Sequence, residues 1–477
     1  MNRPGAIQKV LVANRGEIAC RVLRTARSMG IKTVTVHTAE DRGAPHTLGE
    51  TLLVGSYLGL GEIIDAARRS GADAIHPGYG FLAENPALPR ACEDAGLIFI
   101  GPPAGAMEAL GDKAKARARA SALGIAVTEG AGPFSDPAEI EAAARRLGPP
   151  LMLKASAGGG GKGMKRIDRN DLERLPETIA SSQRESRAAF GDDRLIVERY
   201  VYPARHVEVQ IMADGRNAIA LGERECSLQR RHQKIIEESP CTVLDEPLRR
   251  RLFDAATRLT VDAGYAGAGT MEFLLGAEGD FYFMEMNARL QVEHPVTEAC
   301  TGIDLVKLQI AIASGEPVPA AETVTRRGHA IEVRLCAEDP RRGFLPSAGR
   351  LLQVRWPSGV RVDTGVGDVV TTQYDSLLAK IIAHGADREE ARRALLAALR
   401  ETVVLGVHTN QAFLMDLLLS NAFVDGRTFT TTVDEWATPP APLPKVLAIG
   451  AALTLARAGR RSKERSPWTT LGPWRLA

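Results

Sequence analysis

Short apolar runs and amphipathic stretches take turns along the first hundred residues. The apolar runs predict buried strands at 9–13, 32–37, around 73–76 and at 97–101. The stretches between them have apolar residues at helical spacing and predict helices at 17–30, 61–70 and 86–95. Strands that alternate with helices form parallel βαβ units, so this region is predicted to be an open α/β sheet.

The spacing changes after Gly111. A helix rich in Lys, Arg and Ala is predicted at 112–123, and two-residue alternation is common beyond it. The alternating segments predict strands at 150–155, 194–200, 206–212, 218–222, 269–275 and 280–286. Asp214-Gly215, between two of these strands, predicts a tight hairpin. A further α+β segment runs from about 328 to 431.

These changes divide the chain into four parts, and the predicted fold class is multidomain α/β and α+β. An open parallel α/β domain comes first, then an α+β domain with a mobile lid, then a C-terminal α+β domain. The last part is the Pro-rich linker TPPAPLPK (438–445) with a short Ala-rich helix and a basic tail. The predicted bounds are 1–108, 109–327 with the lid at about 128–200, 328–436, and 437–477.

Composition narrows the functional class. Lys and Arg number 60 against 58 Asp and Glu, so there is no basic excess for nucleic acid. The six cysteines form no CxxC pair, which argues against a zinc ribbon or a disulfide framework and fits a reducing compartment. The start has no signal-peptide core, and the apolar stretch 446–456 is too short to cross a bilayer. We therefore expect a cytoplasmic protein that binds neither nucleic acid nor membrane.

A run of glycines lies within KASAGGGGKGMKR, residues 154–166. Bare backbone N–H groups flanked by lysines suit phosphate oxygens, and glycine lets the main chain approach closely. The order GxxxxGK[ST] of a Walker A loop is absent, and the segment after the run looks like a strand. The pattern predicts a glycine hairpin that can close over a nucleotide, with a plain flexible loop as the simpler alternative. The candidate phosphate-binding residues are Lys113, Lys154, Gly159, Gly160 and Gly161.

A run of mixed charge follows at 223–238, ERECSLQRRHQKIIEE. Its basic residues and histidine, interleaved with glutamines and flanked by acids, are Arg224, Arg230, Arg231, His232 and Lys234. A solvated surface is the simple interpretation of such a run. The mixed local field favours a structured anion-binding site over a nucleic-acid patch.

Residues 285–293, EMNARLQVE, carry a polar side chain at every second position. On a β-strand this spacing directs one set of side chains to one side: Glu285, Asn287, Arg289, Gln291 and Glu293. The wet face of an edge strand is one explanation. However, the preceding apolar FYFM (281–284) predicts a strand buried on both faces, where polar groups need partners.

A divalent cation would satisfy these polar groups. Glu285 and Asn287 offer oxygen ligands on one face, and Glu272 on a neighbouring predicted strand adds a carboxylate. Arg289 can then bind an oxyanion, and Glu293 is left as an unpaired acceptor for a proton. The pattern therefore predicts a site for Mg²⁺ (or Mn²⁺) and an anion.

Together these motifs resemble the ATP-grasp fold and, more specifically, biotin carboxylase, the component of biotin-dependent acyl-CoA carboxylases. The matching blocks run in family order over residues 7 to about 435. They include VANRGEIA (12–19), HPGYGFLAEN (76–85), GDK (111–113), KASAGGGGKGM (154–164), RHVEVQ (205–210), RRHQK (230–234), GAGTMEF (267–273), EMNARLQVEHPVTE (285–298), EVRLCAEDP (332–340) and FLPSAG (344–349). RRHQK and EMNARLQVEHP are the most specific of them.

The resemblance implies a ligase that uses ATP to phosphorylate bicarbonate to carboxyphosphate, whose breakdown supplies CO₂ to N1 of biotin on a carrier protein. The nucleotide set would be Lys113, Lys154, Gly159, Gly160, Gly161, His206, Gln229 and His232, with Glu198 beside the adenine. Glu272, Glu285 and Asn287 would hold the metal. The bicarbonate pocket would be lined by Lys234, Arg289, Gln291 and Val292. Glu293 would be the base, and Arg334 would stabilise the enolate of biotin.

The resemblance also implies partners: a biotin carrier protein or domain, a carboxyltransferase subunit and a second copy of this chain. The chain has no AMKM biotin-attachment sequence, and Ala288 stands where many members have Thr. The ending SPWTTLGPWRLA resembles the start of the connecting region in longer carboxylase α-chains, so we expect this chain to be the carboxylase part of one. Two rival functions stay open: a carbamoyl-phosphate-synthetase-like ligase and a catalytically inactive nucleotide-binding subunit.

Overall fold

The computed structural model describes residues 7–156 and 164–436, together with residues 450, 452, 453 and 455. Gly159, Gly160 and Gly161 of the glycine run therefore lie outside the described residues, as do the Pro-rich linker and most of the tail. Residues 450, 452, 453 and 455 are helical, in the segment where the short Ala-rich helix was predicted.

The N-terminal region is the open parallel sheet that the sequence predicts. Its strands are β1 (Lys9–Val12), β2 (Lys32–His37), β3 (Thr51–Leu53), β4 (Ala74–His76) and β5 (Ile98–Phe99), in the order β3-β2-β1-β4-β5. All four pairings are parallel. The helices are α1 (Gly16–Ser28), α2 (Leu60–Ser70) and α3 (Ala87–Asp94). In α1 the apolar residues Ile18, Val22 and Ala26 recur at helical spacing and are buried on one face, so this face of the helix packs into the core.

A separate, small sheet of four strands lies in the region of the predicted lid. After α4 (Ala104–Gly111) and α5 (Lys113–Ala122) come β6 (Gly130–Phe134), β7 (Leu151–Ala155), β8 (Lys165–Ile167) and β9 (Leu195–Arg199), in the order β6-β9-β7-β8. Helices α6 (Pro137–Leu147) and α7 (Leu175–Phe190) cover it. It has its own core, which includes Ile140, Leu153, Ile179 and Val197.

An eight-stranded sheet forms most of the rest of the fold. Its strands are β10 (Ala204–Asp214), β11 (Ala218–Arg230), β12 (Gln233–Ser239), β13 (Ala266–Gly276), β14 (Phe281–Asn287), β15 (His329–Cys336), β20 (Arg361–Thr364) and β22 (Leu377–Gly385). They lie in the order β14-β13-β10-β11-β12-β15-β22-β20. The predicted hairpin at Asp214-Gly215 joins β10 to β11 as an antiparallel pair. The sheet continues without a break from the predicted middle domain into the C-terminal one.

Helices and short strand pairs complete the described fold. The helices are α8 (Glu246–Asp262), α9 (His294–Thr301), α10 (Leu305–Ala313), α11 (Arg388–Glu401), α12 (Gln411–Leu419) and α13 (Asn421–Val424). The remaining strands are β16 (Glu338–Asp339), β17 (Leu345–Pro346), β18 (Gly349–Arg350), β19 (Gln353–Arg355), β21 (Val369–Val370) and β23 (Val403–Leu405). Among the described residues, no helix combines the length and the apolar character that a membrane span requires.

The structure corrects the prediction that the FYFM strand is buried on both faces. β14 is the last strand of the eight-stranded sheet, and its residues alternate between buried and half-buried. On its outer side, the N–H of Phe283 donates to the carbonyl of Ala126 at 2.8 Å. The strand also ends at Asn287, so the alternation up to Glu293 is not one strand. Strand order, which local spacing does not encode, decides this burial.

We predict that the C-terminal core holds this sheet in place. Leu395 on α11 is fully buried with Ile331 and Val333 of β15, whereas Leu352 is 60% exposed. Leu395→Ala should lower the free energy of unfolding by about 2–5 kcal/mol because it leaves a cavity. The matched variant Leu352→Ala should change it by less than about 0.5 kcal/mol. Chemical denaturation measures both, and equal effects would contradict this assignment of the core.

Candidate active site

A cavity of about 500 Å³ opens between the small sheet and the eight-stranded sheet. It brings together most of the residues that the sequence singled out. Those lining it are Lys154, Glu198, His206, Gln229, His232, Lys234, Glu272, Glu285, Asn287, Arg289, Gln291, Val292 and Arg334. Two further predicted residues do not line the cavity: Lys113 contacts Glu285, which does line it, and Glu293 is fully buried.

Antiparallel register explains why three acids meet in this wall. Glu208 on β10 is the cross-strand partner of Glu272 on β13, and Glu272 is the partner of Glu285 on β14. Directly paired residues point to the same face of a sheet, so three carboxyl groups stand in a row. Like charges in this arrangement repel one another, and the row therefore requires cations.

Lys234 supplies the central cation. From β12 its Nζ donates to Glu208 at 2.5 Å, to Glu272 at 2.9 Å and to Glu293 at 2.6 Å. Burial disfavours an ammonium group, but these three carboxylates outweigh it and raise the pKa of Lys234 well above its usual value. One side chain thus ties β10, β12, β13 and the turn before α9 together.

Glu293 is not the unpaired carboxylate that the sequence analysis expected. Lys234 binds one of its oxygens, and the Arg334 guanidinium donates to the other at 2.9 Å. Burial would raise the pKa of this carboxyl, but Lys234 and Arg334 outweigh burial and hold it well below its usual range. Glu293 is therefore ionised at neutral pH and ready to accept a proton, although the two cations weaken it as a base.

The predicted metal ligands lie on the adjacent strands β13 and β14. Asn287 donates from Nδ2 to Glu272 at 2.8 Å and accepts from Arg289 at 3.1 Å, while Lys113 Nζ lies 2.8 Å from Glu285. Burial would raise the pKa of Glu272, but Lys234 and the hydrogen bond from His206 outweigh burial and lower it. An all-oxygen set of two carboxylates and one amide fits Mg²⁺ or Mn²⁺. The buried Nε2 of His206 lies 3.2 Å from Glu272, and His206, Glu208 and Glu272 bring their side-chain ligand atoms close together.

The small sheet contributes a second cluster, centred on Glu198 of β9. Its carboxylate binds Lys154 of β7 at 2.6 Å, Arg117 of α5 at 2.9 Å and the hydroxyl of Thr128 at 2.8 Å. Burial opposes ionisation, but Lys154 and Arg117 outweigh it and lower the pKa of Glu198. This places the predicted phosphate-binding Lys154 at the edge of the cavity, held by an acid that a nucleotide phosphate can replace.

The mixed-charge run divides between the site and the interior. Its RRHQK portion spans the end of β11, the turn and the start of β12, and the two turn residues Arg231 and His232 have positive φ angles of 48° and 65°. Arg230 stacks on Phe344, 4.2 Å from the ring centre. Arg224 is fully buried and donates to Glu208 at 2.5 Å, so it is a structural cation and not part of an exposed anion site. Only His232, Lys234 and the two glutamines of the run reach the cavity.

Several residues of the site escaped the sequence analysis. Glu208 occupies an ordinary strand position, although the alternation in RHVEVQ is a signal that could have found it. Glu84, from the N-terminal region, binds Arg289 at 2.9 Å. The cavity is also lined by residues that are distant in sequence: Tyr79, Gly80, Thr430, Thr431 and Asp434. Nothing local in the sequence indicates that these segments meet.

Three family models match the chain in succession. They are the biotin carboxylase N-terminal domain over residues 6–107, the carbamoyl-phosphate synthase L chain ATP-binding domain over 112–321, and the biotin carboxylase C-terminal domain over 332–435. Among the chain's relatives is biotin carboxylase of Haemophilus influenzae, 46% identical over 85% of this chain and 93% of that protein. Another, the mitochondrial methylcrotonoyl-CoA carboxylase subunit alpha of Dictyostelium discoideum, is 43% identical over 98% of this chain and 70% of that protein. The chain spans 62% of the corresponding rat subunit.

Solved structures show the same architecture. Biotin carboxylase of Campylobacter jejuni, crystallised as an ATP complex, has a TM-score of 0.86 and 39% identity over 90% of this chain and 98% of that one. The biotin carboxylase domain dimer of Hydrogenobacter thermophilus 2-oxoglutarate carboxylase, solved with MgADP and bicarbonate, has a TM-score of 0.87 and 40% identity over the same shares. The matches span all three domains, and the paired acids, Lys234 and Arg334 lie in one cavity, so the chain belongs to the biotin carboxylase family.

Proposed function

We propose that this chain catalyses the ATP- and bicarbonate-dependent carboxylation of biotin on a carrier protein, the first half-reaction of an acyl-CoA carboxylase. The observation that carries the proposal is the triple contact of Lys234. One ammonium group binds both Glu272, the proposed metal ligand, and Glu293, the proposed base, and Arg334 also binds Glu293. Such a site binds two anions, the ATP phosphates and bicarbonate, and supports one proton transfer in the same cavity.

The proposed reaction has two steps. First, a bicarbonate oxygen attacks the γ-phosphorus of ATP, the bond to ADP breaks, and Glu293 takes the remaining bicarbonate proton. Second, carboxyphosphate breaks down to CO₂ and phosphate, the phosphate takes the N1 proton of biotin, and N1 attacks CO₂. Arg289 and Lys234 hold the bicarbonate and carboxyphosphate charge, and Arg334 stabilises the enolate oxygen of biotin.

The negative charge of bound bicarbonate would also change the pKa of Glu293, the proposed base. Bound bicarbonate competes with Glu293 for Lys234 and Arg334, which weakens the two ion pairs that hold its pKa low. The pKa of Glu293 then rises towards its ordinary value, and the carboxylate becomes a better proton acceptor when substrate is present. The ion pairs of the substrate-free site thus prevent premature protonation of the base.

The metal site belongs to the same proposal. Glu272, Glu285 and Asn287 would hold Mg²⁺ or Mn²⁺ together with the ATP phosphates. When bound, the ion neutralises the charge that develops on the transferred phosphoryl group. Lys113 and Lys154 would bind phosphate oxygens. Gln229, His232 and His206 would contact the nucleotide, and Glu198 would lie beside its base.

We further propose the partners that this reaction requires: a biotinylated carrier protein or domain, a carboxyltransferase and a second copy of this chain. Support comes from relatives named as subunits alpha of acyl-CoA carboxylases and from the neighbour solved as a dimer. The Dictyostelium match reaches 98% of this chain, which includes most of the tail and favours an α-chain architecture. The six free cysteines support placement in a reducing cytoplasm.

A carbamoyl-phosphate-synthetase-like activity is the alternative, because the model that matches residues 112–321 carries that description. The deciding experiment measures ADP formation with bicarbonate and Mg²⁺, adding free biotin or ammonia. We expect biotin to stimulate turnover and ammonia to have no effect. Stimulation by ammonia alone would establish the alternative, and the absence of bicarbonate-dependent turnover in folded protein would indicate an inactive nucleotide-binding subunit.

We predict that Lys234→Met lowers kcat for bicarbonate-dependent ATP hydrolysis by about a hundredfold or more, because three carboxylates lose their shared cation. The pKa of Glu293 should rise in this variant, since the cation that depresses it is gone. Lys32→Met, at an exposed position on β2, is the matched control and should behave as the wild type. Steady-state kinetics decide the matter, and a kcat of Lys234→Met within twofold of the wild type would refute the central role of Lys234.

Metal dependence gives a further prediction. Glu285→Gln keeps the shape of the side chain but removes one anionic ligand, so the Mg²⁺ concentration at half-maximal activity should rise about tenfold or more. Glu278→Gln, in the exposed turn before β14, should leave this value unchanged. Titrations with Mg²⁺ at saturating ATP measure both variants. The same half-maximal concentration in Glu285→Gln and wild type would remove Glu285 from the metal site.

A further inference from the structure

The eight-stranded sheet holds a second pair of acids, next to Arg334 but outside the row of Glu208, Glu272 and Glu285. Glu237 on β12 and Glu332 on β15 are direct cross-strand partners, and both are fully buried. Their neighbours Ile236, Ile331 and Val333 point the other way, into the apolar core beneath α11. The two carboxyl groups therefore face each other on the polar face of the sheet.

The hydrogen bonds of this pair are very uneven. Arg334 donates to one oxygen of Glu237 from Nε at 2.6 Å, and its Nη2 lies 2.5 Å from the same oxygen. Among the described residues, the second oxygen of Glu237 and both oxygens of Glu332 have no hydrogen-bond partner. A buried carboxylate without hydrogen bonds is very unfavourable, and a second carboxylate opposite makes it worse. The arrangement favours a protonated, neutral Glu332.

The surrounding charges agree with this protonation pattern. Burial raises the pKa of Glu332 well above its usual value, and Glu237 and Glu293 add to the effect while Lys380 and Arg334 oppose it. Burial raises the pKa of Glu237 to about 7, against the pull of Arg334 and Lys234 and with a contribution from Glu293. The other buried titratable groups on these strands and on the elements packed against them are Glu223, Arg224, Glu225 and Cys226 on β11, Glu238 on β12, His329 on β15, Lys380 on β22, and His294, Glu298 and Cys300 on α9.

Arg334 links this pair to the proposed chemistry. Its guanidinium bridges Glu237 and Glu293, so the charge of Glu237 decides how firmly the guanidinium is held. We propose that Glu237 and Glu332 are a positioning pair for Arg334, in which Glu332 stays a neutral acid and ionised Glu237 fixes the guanidinium beside Glu293. This inference rests on the proposed function only for what Arg334 does to biotin.

The pair has a consequence for pH dependence. As the pH falls through about 7, Glu237 takes up a proton and the charge-assisted bonds to Arg334 become ordinary hydrogen bonds. Arg334 is then held less firmly, and the biotin-dependent reaction should weaken on the acid side. Glu293 cannot produce this limb in the free enzyme, because its pKa is held well below its usual range.

Infrared spectroscopy tests the protonation states without any assay of activity. The carboxylic acid C=O band is separate from the carboxylate bands, so wild-type-minus-variant spectra isolate each residue. The spectrum for Glu332→Gln should show an acid band that is present at neutral pH, because the pKa of Glu332 is raised well above its usual value. The spectrum for Glu237→Gln should show an acid band that disappears with a midpoint near pH 7. An ionised Glu332 at neutral pH, or a Glu237 band without this midpoint, would overturn the pair.

Kinetics test the positioning role. Glu237→Gln should raise KM for biotin about tenfold, because a charge-assisted contact to Arg334 is lost. It should also abolish the acid limb of kcat/KM for biotin. The control is Glu238→Gln, the next residue on β12, whose side chain binds Arg388 and His329 on the opposite face. That variant should lose thermal stability but retain the acid limb, as expected of a purely structural acid.

The outcomes of the two experiments separate the two proposals. The predicted infrared bands in a protein without biotin-dependent turnover would preserve the carboxyl pair and reject the proposed function. Turnover with biotin, together with an acid limb that survives unchanged in Glu237→Gln, would preserve the function and reject the positioning role. Loss of stability in Glu237→Gln without a change in KM or in the pH profile would likewise reject it.

Discussion

The whole site depends on one lysine placed among three acids. The carboxyl groups of Glu208 and Glu272 on the sheet and of Glu293 in the turn before α9 repel one another, and each loses solvation on burial. The Lys234 ammonium, donating to Glu208, Glu272 and Glu293, offsets both effects and fixes the relative positions of four chain segments. Because removing one partner of a buried charge network leaves other charges uncompensated, every group in the wall constrains the rest.

The arrangement of the two sheets keeps these charged groups in place around the cavity. The eight-stranded sheet passes from the middle of the chain into its C-terminal region, so Lys234 on β12 and Arg334 on β15 belong to adjacent strands of one rigid layer. Helices α11 and α12 seal the apolar face of that layer, which leaves the opposite face free for charged groups. The small sheet brings Lys154 and Glu198 to the other side of the cavity. Strands thus hold the cationic side chains of the site, and of these only Lys154 lies close to the glycine run in sequence.

Sequence patterns predicted the elements and the chemistry better than the contacts. Alternating polarity identified Glu285 and Asn287, and the glycine run drew attention to Lys154, because each of these signals is local. The triple contact of Lys234 depends on the register of strands far apart in the chain, and no local spacing contains it. The same limit explains why β14 proved to be an edge strand, why Glu293 proved to be paired, why Arg224 proved to be a buried structural cation, and why Glu208 was missed. The resemblance to a family located the site, and the folded structure determines its electrostatics.

The central claim is that this wall of acids and cations activates bicarbonate through carboxyphosphate. Bicarbonate labelled with oxygen-18 tests it most directly, with mass spectrometry of the phosphate released during biotin-dependent turnover. If a bicarbonate oxygen attacks the γ-phosphorus, each phosphate molecule carries one labelled oxygen. Phosphate without label would mean that water attacks ATP, and it would contradict the account.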